Sequence, residues 1–262
     1  MDGGARVKTG VPGFDELVEG GLPQGSNVLL TGIPGTGKTI FALQYLYSGA
    51  KNGECGVYVT LDQKRQDLLD QARKFGWDLE SLEENKKIKI VEVALDLAGI
   101  NIFEMIDTAV KEVGAKRLVF DSLVNFAVNL DQFIIPLGFN LSDIDSAYKN
   151  RPTDHKILYT GRSDQRATYL LINELSKQGT TNLIITAAKQ AGDQLTVDGV
   201  SEFACDCVLT FYNELLGSKR MRTISILKMR DTDHSQYIHD LELGKSGCLV
   251  RPAEKVYQKS TT

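Results

Sequence analysis

The sequence is poor in the residues that build metal centres and disulfide frameworks. It has four cysteines, three histidines and one tryptophan among 262 residues. No CxxC pair occurs, and His234 and His239 lie five residues apart, one more than the spacing of a helical metal-binding pair. We therefore expect no metal site of this kind, and free, buried thiols in a reducing cytosol at positions 55, 205, 207 and 248.

Long apolar runs are also lacking. The first eight residues, MDGGARVK, contain no apolar segment, and the densest later run, FIIPLGF at 133–139, is interrupted by Pro136 and Gly138. A helix that crosses a bilayer needs about 20 apolar residues. We expect neither an export signal nor a membrane span, and we expect a cytoplasmic location.

There is no excess of positive charge. Lys and Arg number 30 and Asp and Glu 34, which gives a net charge of −4. Because nucleic-acid affinity comes mostly from Lys and Arg that neutralise phosphates, the chain as a whole is a poor candidate for nucleic-acid binding. A DNA-binding role would have to use the short basic cluster SKRMR at 218–222.

Strand-like and helix-like segments alternate along most of the chain. Beyond residue 200, strand-like segments follow one another with only turns between them. This pattern predicts one α/β domain over 1–262, with a mostly parallel central sheet flanked by helices and antiparallel strands at its C-terminal end. The predicted strands are 27–32, 56–62, 87–93, 116–122, 181–188, 205–213, 222–230 and 237–243, and the predicted helices are 38–49, 64–75, 101–113 and 165–178.

The segment 123–164 does not fit this alternation. It has no clear periodicity, and a connection of such length without structure of its own is usually functional or disordered. It is predicted to be an insertion at about 123–164. Three interpretations stay open: an ordered surface insertion, a partner-binding loop, or a helix whose periodicity is not recognisable.

The most specific motif is GIPGTGKT at 32–39, which matches GxxxxGK[ST] between a predicted strand and a predicted helix. Its glycines let the backbone turn so that N–H groups face phosphate oxygens, and the start of the helix adds partial positive charge. The motif predicts binding of ATP and Mg²⁺, with Lys38 at the β and γ phosphates and Thr39 on the metal. The predicted nucleotide-binding residues are Gly32, Pro34, Gly35, Thr36, Gly37, Lys38, Thr39 and Ile40.

A second magnesium residue is predicted in KRLVFDS at 116–122. Three apolar residues there precede Asp121, at the end of a predicted strand. With the phosphate loop already placed, we interpret Asp121 as a carboxylate that holds Mg²⁺ through water. The alternative is an ordinary turn or cap residue.

Several of these segments resemble the KaiC-like ATPases of the RecA superfamily. The resemblance is carried by TGVPGFDELVEGGLPQGSNVLLTGIPGTGKTIFALQYL (9–46), FGWDLE (75–80), FDSL (120–123), GVSEF (199–203) and RTISILKMRDTDH (222–234). It implies a RecA-like P-loop NTPase fold and a hexameric ring with ATP at each subunit boundary. It also implies that Lys228, Arg230, Thr232 and His234 act on the nucleotide of the adjacent subunit. From the residues alone, a charged strand edge that blocks aggregation is the alternative.

The strand VYVTLDQ (57–63) departs from this family at its end, where members carry one or two glutamates that activate water. Asp62 is shorter than Glu by one methylene, about 1.5 Å, and a general base must approach its water to about 3 Å. Gln63 accepts no proton but can orient water. We predict Asp62, Gln63 and Lys38 as catalytic residues of a slow ATPase. The alternative is that Asp62 and Gln63 cap the helix at 64–75.

Three functions therefore stay open. The first is a ring-forming, slow Mg-ATPase with a regulatory or assembly role. The second is a non-hydrolysing ATP-binding scaffold whose partner binds through 123–164. The third is a RadA-like recombination accessory ATPase that binds single-stranded DNA, which the acidic charge balance disfavours.

Overall fold

A computed structural model of the chain describes residues 4–95, 99–133, 162–189, 195–217 and 219–253. The strands are β1 Arg6–Val7, β2 Leu22–Pro23, β3 Asn27–Gly32, β4 Gly56–Thr60, β5 Ile88–Glu92, β6 Arg117–Asp121, β7 Thr181–Ile185, β8 Cys207–Leu216, β9 Lys219–Met229, β10 Ile238–Gly244 and β11 Gly247–Arg251. The helices are α1 Lys38–Lys51, α2 Arg65–Lys74, α3 Leu79–Glu84, α4 Ile102–Val113, α5 Leu123–Val128, α6 Arg162–Ser176 and α7 Ser201–Ala204, with 3-10 helices at Asp15–Val18 and Leu130–Gln132.

Nine of the strands form one sheet in the order β11-β10-β9-β8-β3-β7-β6-β4-β5. The six strands from β8 to β5 are parallel to their neighbours, and β9, β10 and β11 continue the sheet as antiparallel strands. The predicted α/β class and the change to antiparallel pairing after residue 200 are both confirmed. The carboxyl ends of β3, β4, β6 and β7 meet at one edge, where ligands of such sheets bind.

The central strands are apolar because helices cover both of their faces. Every residue of β3, β4, β6 and β7 is buried, as expected for parallel strands inside an α/β sandwich. On one face α1 contributes Phe41 and Tyr45 to the core. On the other face α4 contributes Ile106 and α6 contributes Leu171.

The beginning of the segment without periodicity belongs to this core. Residues 123–128 form α5, and Phe126, Leu130 and Phe133 are buried beside α4 and α6. For this part, the interpretation as a helix without recognisable periodicity applies. The remaining residues of the predicted insertion up to 161 lie outside the described residues, and so does any partner surface predicted there.

Within the described ranges, no helix is long and apolar enough to cross a membrane. The four cysteines are free thiols, and three of them are buried as predicted. The prediction of burial is wrong for Cys55, which is half-buried because it lies in the connection between α1 and β4. In the same ranges no group of three or more His, Cys, Asp or Glu side chains is arranged to hold a metal ion.

Candidate functional site

The phosphate-binding loop connects β3 to α1 and has the conformation that its glycines permit. Gly35 has φ +81° and Gly37 has φ +105°, a region that L side chains rarely adopt. Gly37 directly precedes the first residue of α1. The N-terminus of α1, with its N–H groups and partial positive charge, therefore faces the cavity that the loop borders.

Lys38 lies against the inside of this loop. Its Nζ donates hydrogen bonds to the carbonyl oxygens of Gly32 at 2.6 Å and Ile33 at 3.0 Å. Burial lowers the pKa of Lys38 to about 8, against the opposing charges of Asp121 and Asp62. Burial thus disfavours the charged form of the ammonium, and an anion bound beside it would favour that form.

Asp121 ends β6 beside the loop and is held by two hydroxyl groups. Its Oδ2 accepts a hydrogen bond from Tyr58 Oη at 2.7 Å and from Thr39 Oγ1 at 3.3 Å. Burial raises the pKa of Asp121 to about 6, and the hydrogen bonds from Tyr58 and Thr39 act in the opposite direction. Near neutral pH the group is a carboxylate next to a hydroxyl.

Thr39 and Asp121 together suit magnesium. Mg²⁺ prefers hard oxygen ligands and keeps several waters, so that one hydroxyl and one carboxylate on a phosphate-binding loop are a usual protein contribution. The 3.3 Å approach of Thr39 Oγ1 to Asp121 Oδ2 brings these two donor types to one point beside Lys38. The predicted pair of metal residues is therefore brought together in space.

Asp62 and Gln63 follow β4 on the same side of the cavity. Asn125 Nδ2 donates to Asp62 Oδ1 at 3.0 Å, and Gln71 donates to the Gln63 side-chain oxygen. The alternative that these residues cap the following helix is wrong, because Lys64 is the residue that precedes α2 and its side chain makes no cap. Glu92 of β5 instead accepts the hydrogen bond from the first backbone N–H of α2.

These residues line one open cavity of about 470 Å³. It is also bordered by Leu243 of β10 and by the residues that follow β7. Of the predicted nucleotide-binding residues, Gly32 and Thr36 are not in its lining. Thr36 is buried and donates to the Ile33 carbonyl, and the Gly32 carbonyl accepts from Lys38. These two residues therefore stabilise the conformation of the loop through internal hydrogen bonds. The predicted residues in the lining are Pro34, Gly35, Gly37, Lys38, Thr39, Ile40, Asp62, Gln63 and Asp121.

The four residues expected to act on an adjacent subunit are not brought to this cavity. Met229 of β9 pairs with Cys207 at the start of β8, so the chain beyond it lies at the amino ends of the parallel strands, opposite the phosphate loop. Lys228 Nζ donates to the carbonyls of Glu202 and Cys205, and Arg230 forms an ion pair with Asp206 at 3.0 Å.

Thr232 and His234 lie further along the same connection. Thr232 Oγ1 accepts from Arg6 Nη1 at 2.6 Å, and His234 Nδ1 lies 3.1 Å from the Ser235 carbonyl oxygen. All four side chains are therefore remote from the phosphate loop of their own subunit.

Four side chains that contact the predicted site residues are not predicted from the sequence. Each of them donates a hydrogen bond to a predicted residue: Tyr58 to Asp121, Asn125 to Asp62, Gln71 to Gln63, and Arg222 Nε to the Gly35 carbonyl at 3.0 Å. For Tyr58 a signal exists, since a tyrosine in a fully buried strand needs a partner for its hydroxyl group. Arg222 belongs to the basic cluster at 218–222 on which a DNA-binding role would depend, and its guanidinium binds the phosphate loop.

Comparison with known proteins agrees with this geometry. A family model described as the KaiC ATPase matches residues 7–134 and 160–255. The chain belongs to the KaiC ATPase family. The residues between the two matched parts fall within the predicted insertion.

Among curated relatives, the circadian clock oscillator protein KaiC of Synechococcus elongatus is 30% identical over 269 residues, which cover 98% of this chain and 46% of that protein. The chain thus spans about half the length of the clock proteins that it matches. A UPF0273 protein of Aeropyrum pernix is 29% identical over 267 residues, covering 96% of this chain and 95% of the relative.

A solved structure of a KaiC-like protein from Pyrococcus horikoshii OT3 superposes with a TM-score of 0.76 at 36% identity, covering 95% of this chain and 99% of that one. The RecA-like P-loop fold that the resemblance to this family implies is therefore confirmed.

Proposed function

We propose that this KaiC-family domain binds Mg-ATP and hydrolyses it slowly in a ring, with a neighbouring subunit completing each site. The observation that carries the proposal is the single cavity in which Lys38, Thr39, Asp121 and Asp62 meet. It combines a desolvated ammonium, a hydroxyl, a buried carboxylate and a second carboxylate, which are the groups that phosphoryl transfer to water requires.

Each residue has a distinct task in this proposal. The loop and Lys38 bind the β and γ phosphates. Thr39 and Asp121 would hold Mg²⁺, which would supply positive charge to neutralise the phosphate oxygens. Asp62 accepts a proton from the attacking water, and the Gln63 amide orients that water. Because the Asp62 side chain is short, its approach to the water is longer than that of a glutamate, and turnover is slow rather than absent.

The residues on the side of the domain opposite the cavity support the proposed ring. Lys228, Arg230, Thr232 and His234 cannot serve the nucleotide of their own subunit from there. Around them lie apolar side chains that face solvent in the single chain: Phe203, Leu227, Tyr237 and Ile238, of which Phe203 is 74% and Ile238 59% exposed. In the proposed ring these exposed apolar side chains would be covered at the boundary between subunits, beside the phosphate loop of the neighbour.

The test combines phosphate release with sedimentation. With Mg-ATP, Lys38→Ala is expected to abolish nucleotide binding, and Arg230→Ala is expected to bind nucleotide but lose turnover. Mixing an excess of Asp62→Asn subunits into Arg230→Ala protein is expected to restore activity, because intact Arg230 then faces intact Asp62 across some boundaries. A chain that stays monomeric with Mg-ATP at high concentration would contradict the ring.

A scaffold that binds ATP without hydrolysing it is the second candidate. The observation in its favour is that the Gln63 side-chain oxygen is already engaged by Gln71. On this hypothesis nucleotide binds and the ring assembles, yet phosphate release equals the rate without protein. The same phosphate-release measurement on wild-type protein separates the two candidates.

The biological role in this proposal is regulatory or assembly-related, in the cytoplasm, and the insertion provides the surface for a protein partner. Single-stranded DNA binding is the least supported role. Arg222 of the basic cluster is bound to the Gly35 carbonyl, and Glu214 lies on the paired strand β8 of the same hairpin. Absence of salt-sensitive binding to single strands would remove that role.

A further inference from the structure

Asn125 joins two consecutive residues of the turn that follows β4. Its Nδ2 donates to the Leu61 carbonyl oxygen at 3.1 Å and to Asp62 Oδ1 at 3.0 Å. One amide group therefore holds both the backbone immediately before Asp62 and one oxygen of its carboxylate. Within the part of the chain that the structure describes, the second oxygen, Oδ2, accepts no hydrogen bond, so its lone pairs can accept from a water molecule.

The backbone of this turn is fixed separately by Thr60. Its Oγ1 donates to the Gln63 carbonyl at 2.7 Å and accepts from the Gln63 N–H at 3.0 Å. Thr60 thus sets the path of the chain, while Asn125 sets the direction of the Asp62 side chain. Asp62 is solvent-exposed in the single chain, so that without Asn125 its carboxylate would sample several rotamers.

Asn125 lies on a helix that the core holds in place. It lies on α5, which begins two residues after Asp121, and Leu123 and Phe126 of the same helix are fully buried. The Phe126 ring packs on Phe120 and Phe133, with ring centroids 6.2 and 5.1 Å apart. The helix that carries the amide is therefore anchored in the core and connected directly to the strand of the metal residue.

We propose that Asn125 is a positioning residue that holds the short Asp62 side chain as the proton acceptor of the hydrolytic step. This inference rests on the proposed ATPase function. An aspartate reaches less far than the glutamate of other family members, so its effectiveness depends on the position of its backbone and on a restricted side chain. The Asn125 amide restrains the side chain at Asp62 and, together with Thr60, the backbone of the turn through the Leu61 carbonyl.

A purely structural role makes a different prediction. If Asn125 only stabilises the turn through the Leu61 carbonyl, its removal lowers the stability of the fold and affects every function of the cavity. If it acts through Asp62, its removal leaves nucleotide binding intact and lowers kcat alone. The effect must then vanish when Asp62 itself cannot accept a proton.

The experiment is a double-mutant cycle on phosphate release with Mg-ATP. Asn125→Ala is expected to lower kcat by about 10- to 100-fold, as misplaced catalytic groups do, with KM and fluorescent-nucleotide affinity unchanged. In the Asp62→Asn background, Asn125→Ala is expected to have no further effect. Asn129→Ala is the matched control. Asn129 directly follows α5 and donates to the Asn125 backbone carbonyl, and among the described residues it makes no hydrogen bond to Asp62.

The outcomes separate this inference from the function beneath it. If Asp62→Asn slows hydrolysis but Asn125→Ala does not, the inference is overturned and the ATPase proposal stands. If Asn125→Ala lowers kcat by the same factor in both backgrounds, Asn125 does not act through Asp62 and the inference is again overturned. If Asp62→Asn leaves turnover unchanged, the assignment of Asp62 as proton acceptor fails, and the role of Asn125 fails with it.

Discussion

The hydroxyl of Tyr58 donates a 2.7 Å hydrogen bond to Oδ2 of Asp121 across two adjacent parallel strands. Both side chains are buried, and Thr39 approaches the same oxygen from the phosphate loop. Asp121 is therefore oriented from two sides before any ligand binds. A hydrogen bond to the ionised form also opposes the cost of burying its charge.

Tyr58→Phe is expected to weaken the proposed magnesium site without removing it. The variant loses a hydrogen bond to a charged acceptor, a group of interactions that contribute about 1.5–3 kcal/mol. We expect the Mg²⁺ concentration for half-maximal nucleotide binding to rise by at least about tenfold, while nucleotide affinity in EDTA is unchanged.

Tyr45→Phe is the matched control, since Tyr45 is also fully buried but donates to the Thr181 carbonyl. A magnesium titration of fluorescent-nucleotide binding measures the effect. Equal titration curves for wild type and Tyr58→Phe would show that Tyr58 does not support the metal residue.

Asp121→Asn is expected to stabilise the nucleotide-free protein while abolishing its metal-dependent function. Burial raises the pKa of Asp121 from 3.8 to about 6. Above pH 6 the folded state carries a carboxylate that is more costly than in the unfolded chain, by at most about 3 kcal/mol. The gain in free energy of unfolding of the variant over wild type is therefore complete above pH 6 and disappears as the pH falls towards 4.

Urea unfolding of both proteins at pH 8 and at pH 4 provides the measurement. A variant less stable than wild type at pH 8 would mean that the hydrogen bonds from Tyr58 and Thr39 outweigh the cost of burial. Sites that need a buried charge for their function often lower the stability of the fold.

The sequence predicted the central fold because each strand next to the phosphate loop is buried on both faces and reads as a short apolar run. Short elements away from the centre of the sheet are harder to predict from the sequence. The strand β11, GCLVR, has few residues and directly follows β10 through a tight turn, and the helix α5 contains six residues, too few for a helical period. Both elements are specified by packing against the sheet rather than by local pattern.

The site shows the same division. Residues that act through a motif, such as Lys38 and Thr39, were identified from their spacing. Residues that act through tertiary contact, such as Asn125 and Arg222, carry no local signal, because the strand order that brings them to the loop is not encoded in their neighbours. The helix-cap alternative for Asp62 failed for the same reason, since the cap comes from Glu92 on another strand.

Arg222→Gln is expected to lower nucleotide affinity. The guanidinium of Arg222, on β9, holds the Gly35 carbonyl at the turn of the phosphate loop. Loss of one hydrogen bond of this kind costs roughly 1 kcal/mol, which corresponds to about a fivefold weaker Kd. Arg220→Gln, two residues away and exposed, is the control for the loss of one positive charge. Equal losses of affinity in both variants would indicate a general charge effect instead of support for the loop.

The last prediction concerns His239, which is buried in β10 and makes two hydrogen bonds. Its Nδ1 accepts from the Ala253 N–H at 2.8 Å, so the ring is neutral, with its proton on Nε2, which lies 2.8 Å from Ser235 Oγ. Burial lowers the pKa of His239, and the charge of Asp240 opposes that shift only in part.

Because the folded-state pKa lies below the unfolded value of about 6.5, the unfolded chain binds the proton more readily. Stability is therefore fully present above pH 6.5 and falls as the pH is lowered towards the folded-state pKa. His239→Gln is expected to remove this part of the acid slope in urea unfolding between pH 7.5 and 5.5, at the cost of a lower stability at pH 7.5. His234→Gln, which removes a half-buried histidine from the connection before β10, is the control. An unchanged slope in His239→Gln would show that the hydrogen bond from Ala253 does not keep the ring neutral.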